Sequence, residues 1–148
     1  MAVKKKIVVF DFNRTLYDPE RRVLIKGALP VLKSLVYRGY ALYVVSTAAP
    51  SRHKLMKDLG LGEYFEKMVV TNNKKKSFDL LLKNKSIDLE KSFVVGDRVR
   101  KEIRYGNLAG LKTVWVRAGK FAKETPRFQT EKPNHKAKNI RAILKILK

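Results

Sequence analysis

A chain of 148 residues with 45% apolar content suits one globular domain with a core of its own, not a disordered or fibrous segment. No apolar run approaches the ~18 residues needed to span a bilayer, and the absence of cysteine removes disulfides and thiolate metal sites. Charge is the unusual quantity: 34 Lys and Arg against 13 Asp and Glu leave a net +21, where small domains ordinarily carry roughly 2–8 in magnitude.

The basic start, Lys4-Lys5-Lys6, leads into a continuous apolar run that stops at Asp11. That run is too short for a signal peptide, which points to the cytoplasm, and it reads as a buried parallel strand over residues 6–10. Residues 27–38 place Leu29, Leu32, Leu35 and Val36 at helical spacing, with Gly39 closing the segment. Residues 41–45 form a second buried strand ending at Ser46-Thr47. Pro50 then opens a helix that Gly60 stops. Met68-Val69-Val70 is a short third strand, and Phe78, Leu81 and Leu82 mark the next helix. Phe93-Val94-Val95 is a fourth strand ending at Gly96-Asp97. Residues 100–109 read as a helix and residues 113–116 as a fifth strand.

This alternation predicts an α/β fold: a doubly wound, Rossmann-like parallel sheet of about five strands, helices on both faces and no cap domain. Residues 1–119 form the α/β domain. Residues 120–148 form a basic extension, irregular around Pro126 and Pro133, whose short final helix packs on the same domain through Ile140, Ile143, Leu144 and Leu147. Ligands of such sheets bind at the carboxyl ends of the strands. Three strands end in polar residues, Asp11, Ser46 and Asp97, so these side chains are expected to converge on one crevice.

The order of motifs resembles the haloacid dehalogenase (HAD) superfamily. Asp11-Phe12-Asn13-Arg14-Thr15-Leu16 matches that family's D-x-D-x-T after the first strand, and Ser46 its Ser or Thr after the second. Lys74-Lys75-Lys76 offers the lysine of its third motif, with the slot near Asn73 or Lys74. Gly96-Asp97 with Glu102 matches its fourth motif, and residues 109–114 resemble its entry to the fifth strand.

The resemblance implies that Asp11 attacks a phosphoryl group to form an aspartyl-phosphate. It implies a Mg²⁺ ion held by Asp11, Asp97, Glu102 and residue Asn13, with Ser46 and a lysine, Lys74 in the simplest count, on the phosphate oxygens. The family's second Asp, its general acid and base, is Asn13 here, and an amide does not shuttle a proton at neutral pH. Losing such a group typically costs ~10²–10⁴ in rate.

Two readings of function follow. In the first, a HAD-like fold with impaired or lost catalysis binds RNA, associated with the ribosome or another RNA–protein particle. The net charge, Asn13 and the absent cap favour it. Its contacts are Lys4, Lys5, Lys6, Arg21, Arg22, Lys75, Lys76, Arg98, Arg100, Lys101, Arg104, Lys136, Lys138, Arg141 and Lys145. In the alternative, the chain is a Mg²⁺-dependent phosphatase acting on a phosphorylated or polyanionic substrate, and its positive field gathers anions. No membrane partner is expected under either reading.

Overall fold

The computed structural model describes residues 3–148; residues 1 and 2 of the expected domain lie outside the described residues. Six parallel strands make one sheet: β1 (Ile7–Asp11), β4 (Ala41–Thr47), β5 (Phe65–Thr71), β6 (Phe93–Gly96), β7 (Lys112–Val116) and β8 (His135–Ala137), in the order β5-β4-β1-β6-β7-β8. β1 lies centrally because all five of its residues are buried, as a strand covered on both faces requires. Its side chains alternate between two cores. Val8 and Phe10 pack on one face with residues of α1 (Ala28–Tyr37), α2 (Arg52–Asp58) and the final 3₁₀ helix (Ile140–Lys145). Ile7 and Val9 pack on the other with α3 (Lys74–Leu82) and α4 (Arg104–Leu108).

A two-stranded antiparallel ribbon, β2 (Tyr17–Asp18) with β3 (Val23–Leu24), sits between β1 and α1 and is too small to cap the sheet. Gly27, with φ +92°, opens α1 in the left-handed region, and a Cβ there would come within 2.6 Å of the Arg141 side chain. That close approach seats the 3₁₀ helix on α1, where Arg38 donates to the carbonyls of Leu144 (2.6 Å) and Leu147 (2.7 Å).

The structure differs from the sequence reading in three places. The sheet has a sixth strand, β8, in the stretch read as irregular. β5 begins at Phe65, three residues before the apolar run. The helix expected over residues 100–109 opens with a π turn, Val99–Ile103, in which the Ile103 N–H donates to the Arg98 carbonyl five residues back (3.3 Å). Among the described residues no helix is long and apolar enough to cross a membrane.

Candidate active site

The carboxyl ends of β1, β4, β5 and β6 open into a cavity of about 310 Å³, lined by Asp11, Asn13, Ser46, Lys74, Asp97 and Glu102 among others. Parallel pairing of β1 with β4 and β6 places the strand ends side by side, so the residues following each apolar run share one rim. Asp11, Ser46 and Asp97 are 6%, 1% and 2% exposed. The Ser46 hydroxyl donates to the Thr47 carbonyl (3.1 Å).

Gly96 is required for its space. A Cβ at this position would sit 2.8 Å from the Glu102 Cβ, so only glycine lets the π turn fold Glu102 back beside the strand. Three carboxylates then meet: Asp11, Asp97 and Glu102 each offer an oxygen, and these oxygens lie within 4.8 Å of one another. Lys74, in the first turn of α3, reaches into the same cluster. Its Nζ donates to Asp11 Oδ1 (2.5 Å) and Glu102 Oε1 (2.8 Å). The α3 start is fixed by Asn73, whose side chain accepts from the Lys76 N–H (3.0 Å). Lys75 and Lys76 point elsewhere: Lys75 pairs with Asp79 and Lys76 is exposed.

The cluster is unbalanced. Three carboxylates face one ammonium, a formal charge of −2 when all three are ionised. Burial pushes the Asp97 carboxyl up to about 8, with the charges of Asp11 and Glu102 adding to the effect. Burial and Asp11 push Glu102 up to about 7, against the pull of Lys74. Burial opposes the charge on Lys74, but Asp11 and Glu102 together raise it above its ordinary value. Asp97 Oδ2 and Glu102 Oε2 are buried without a hydrogen-bond partner, an expensive condition for carboxylate oxygens. A divalent cation meets both deficits, because hard oxygen ligands suit Mg²⁺ and a double positive charge matches the excess. The residues present fit that ion.

Above the acidic floor the cavity is cationic. Arg14, Arg98 and Lys101 line it together with Phe121. The Arg14 and Arg98 guanidinium carbons lie 5.6 Å and 4.1 Å from the Phe121 ring centroid. Glu20 accepts from Arg14 (2.8 Å), and Glu124 accepts from Arg98 (2.9 Å) and from the Arg100 N–H (3.1 Å). Asn13 is held by Arg52, whose Nη1 donates to Asn13 Oδ1 (3.2 Å). Sequence reasoning missed Arg14 as a cavity residue, and also Thr47, Thr71, Asn72 and Tyr105, together with Arg52, which holds Asn13. Thr71 ends β5 as Thr47 ends β4 and was within reach of the strand-end argument. Arg52 comes from a distant segment and left no sequence signal.

The remaining residues named for RNA contact scatter over the molecule. Lys5 pairs with Glu66, Lys6 lies 4.2 Å from the Tyr40 ring centroid, and Arg98 and Arg100 are held by the 124–125 segment. Lys4, Arg21, Arg22, Lys101, Arg104, Lys136, Lys138, Arg141 and Lys145 are exposed. They do not gather at one element that reads nucleic acid.

The model of the HAD-hydrolase-like family matches residues 73–143. A glyceraldehyde 3-phosphate phosphatase of Methanopyrus kandleri is 28% identical over 128 residues, covering 81% of this chain and 54% of its own. Among solved structures, an uncharacterized protein from Listeria monocytogenes superposes with a TM-score of 0.79 at 20% identity, covering 96% of each chain. D,D-heptose 1,7-bisphosphate phosphatase from Burkholderia thailandensis gives 0.76 at 22% identity, covering 97% of this chain and 99% of that one. The chain spans about half the length of the curated relatives it matches.

These relatives overturn the RNA-binding, ribosome-associated reading. They are named as phosphatases of small phosphorylated molecules, so RNA is withdrawn as the partner. Net charge misled because it counts cations without regard to position, while the acids that matter are concentrated in one cavity. In fold and motif order this chain is similar to the HAD superfamily, whose hydrolase-like model matches residues 73–143, without a cap domain among the described residues and with Asn13 in place of the second aspartate of the first motif.

Proposed function

We propose that this protein is a Mg²⁺-dependent phosphatase that cleaves phosphate monoesters of small molecules through an aspartyl-phosphate on Asp11. The observation that carries this reading is the buried cluster of Asp11, Asp97 and Glu102, short of positive charge and holding two unpartnered carboxylate oxygens, at the floor of a cavity with a cationic rim. The naming of the curated relatives as phosphatases supports it.

Asp11 is the nucleophile. It sits at the end of a fully buried strand, which fixes its carboxylate, and its Oδ1 is tied to Lys74. Asp11, Asp97 and Glu102, beside Asn13, would hold Mg²⁺, which would supply charge neutralisation for the transferred phosphoryl group. Lys74 and Ser46 hold the phosphoryl oxygens, the ammonium supplying charge and the buried hydroxyl a donor. Trp115 donates its indole N–H to the Asp97 carbonyl (2.9 Å) and fixes the backbone that presents this carboxylate. Arg14, Arg98 and Lys101 draw the anionic substrate to the mouth of the cavity.

The test is phosphate release from p-nitrophenyl phosphate with Mg²⁺ and with EDTA. Mg²⁺-dependent release that disappears in Asp11→Asn is the expected result. Release unchanged by that substitution, or none from any monoester, removes the reading.

A further inference from the structure

The residue that takes the place of a proton donor is itself engaged by a cation. Asn13 lines the cavity two residues beyond Asp11, and Arg52 donates from Nη1 to its Oδ1 at 3.2 Å. The half-buried Arg52 guanidinium lies 4.8 Å from the ring centroid of Phe12, which is fully buried between the two site residues. That face-on contact restrains the side chain, since a cation over an aromatic face is attracted by the ring's quadrupole.

The backbone on both sides of the pair is strained. Arg14, next to Asn13, has φ +63°, and Ser51, next to Arg52, has φ +57°. These are two of the three non-glycine residues with positive φ among the described residues. Such conformations cost of order 1 kcal/mol or more each and persist where the surrounding structure demands them. Here they flank the hydrogen-bonded pair, of which Asn13 lines the cavity and Arg52 holds its amide oxygen.

We infer that the Arg52–Asn13 pair stabilises the leaving group by charge in place of proton transfer, so that this site is selective for phosphates whose leaving oxygen departs as a stable anion, namely aryl and acyl phosphates. The inference rests on the phosphatase reading above and narrows its substrate. In the first step an Asp11 oxygen forms a bond to phosphorus and the bond from phosphorus to the leaving oxygen breaks. The electron pair stays on that oxygen, which leaves unprotonated beside the Arg52 guanidinium. In the second step water attacks phosphorus, the bond to Asp11 breaks with its electron pair returning to the carboxylate, and the water proton passes to solvent. An amide offers no base for that water, so the second step is slow and the aspartyl-phosphate accumulates. Alkyl phosphates, triose phosphates among them, are then poor substrates because an alkoxide needs a proton to leave.

The experiment is a leaving-group series: acetyl phosphate, aryl phosphates of graded phenol acidity, and glycerol phosphate, each read for pre-steady-state burst and turnover. The expected result is a burst with acetyl phosphate and the acidic aryl esters, a steep fall in the first-step rate as the leaving group becomes more basic, and little turnover of glycerol phosphate. Arg52→Ala should slow the first step about 10²-fold and steepen the fall, with partial rescue by Arg52→Lys. Asn13→Asp should raise glycerol phosphate turnover by about 10² or more and abolish the burst. Because it leaves Arg52 in place, Asn13→Asp decides the question even where an Arg52 variant folds poorly. Wild-type rates independent of leaving-group acidity overturn the inference while leaving the phosphatase reading intact. No phosphoryl transfer from any donor, in wild type or Asn13→Asp, overturns both.

Discussion

The floor and the rim of the cavity are built from opposite charges by opposite means. The floor is acidic, buried and made from strand ends: Asp11 closes β1 and Asp97 follows β6, each under 10% exposed, with Glu102 folded against Gly96. The rim is cationic, more exposed and made from the segments that follow the strands: Arg14, Arg98 and Lys101 around Phe121, with the arginines oriented by Glu20 and Glu124. A net charge of +21 describes the rim and the outer surface and hides the floor. Chemistry is assigned to the floor and the recruitment of anions to the rim, and substitutions separate the two.

The largest effect is expected at the floor. Asp11→Asn should lower phosphate release at least about 10³-fold, as loss of a nucleophile does, with the fold unchanged by circular dichroism. Lys74→Met should come next. Removing the one ammonium leaves buried carboxylates unpaired and should cost about 3 kcal/mol in metal-free protein. Part of the loss should return on adding Mg²⁺, read as a rise in melting temperature larger than that of the wild type. Asp97→Asn should weaken Mg²⁺ binding about tenfold or more by calorimetry, while melting in EDTA changes little or rises as like-charge repulsion falls.

A pH experiment probes a third region. Glu131 is buried in the 120–148 stretch and accepts from the Arg127 N–H (2.9 Å) and guanidinium Nη2 (2.9 Å). These hydrogen bonds hold its carboxyl down at about 2, below its ordinary value. A carboxylate with a depressed folded-state pKa contributes stability that is complete above about 4.5 and is lost as pH falls toward 2. The melting temperature should therefore drop across that window, and Glu131→Gln should flatten the drop while lowering stability at pH 7. The smallest effect belongs to the rim: Arg98→Ala should raise KM a few-fold and leave kcat nearly unchanged, the signature of lost uniform binding.

The sequence exposes the central sheet because β1, β4, β6 and β7 are covered on both faces and so appear as unbroken apolar runs. It hides the edges. β8 is three residues long, two of them exposed and polar, and carries no hydrophobic pattern. The start of β5 contains the exposed Glu66 and Lys67 and reads as a loop. Asp11, Ser46 and Asp97 are visible as polar ends of apolar runs, which is a local signal. Choosing Lys74 among three adjacent lysines needs the phase of α3, fixed by the Asn73 cap. Phe121 reaches the cavity, and Arg52 its residue Asn13, only through tertiary placement, 39 residues separating Arg52 from Asn13 in their hydrogen bond.

The most direct test of the central claim, that this floor performs phosphoryl transfer at Asp11, is rapid acid quench of the protein mixed with acetyl phosphate and Mg²⁺, followed by intact-mass and peptide analysis. The account expects one phosphoryl group on the peptide containing Asp11, present in the wild type and absent in Asp11→Asn or in EDTA. Phosphate released from acetyl phosphate with no adduct at any quench time, or an adduct that persists in Asp11→Asn, would contradict it.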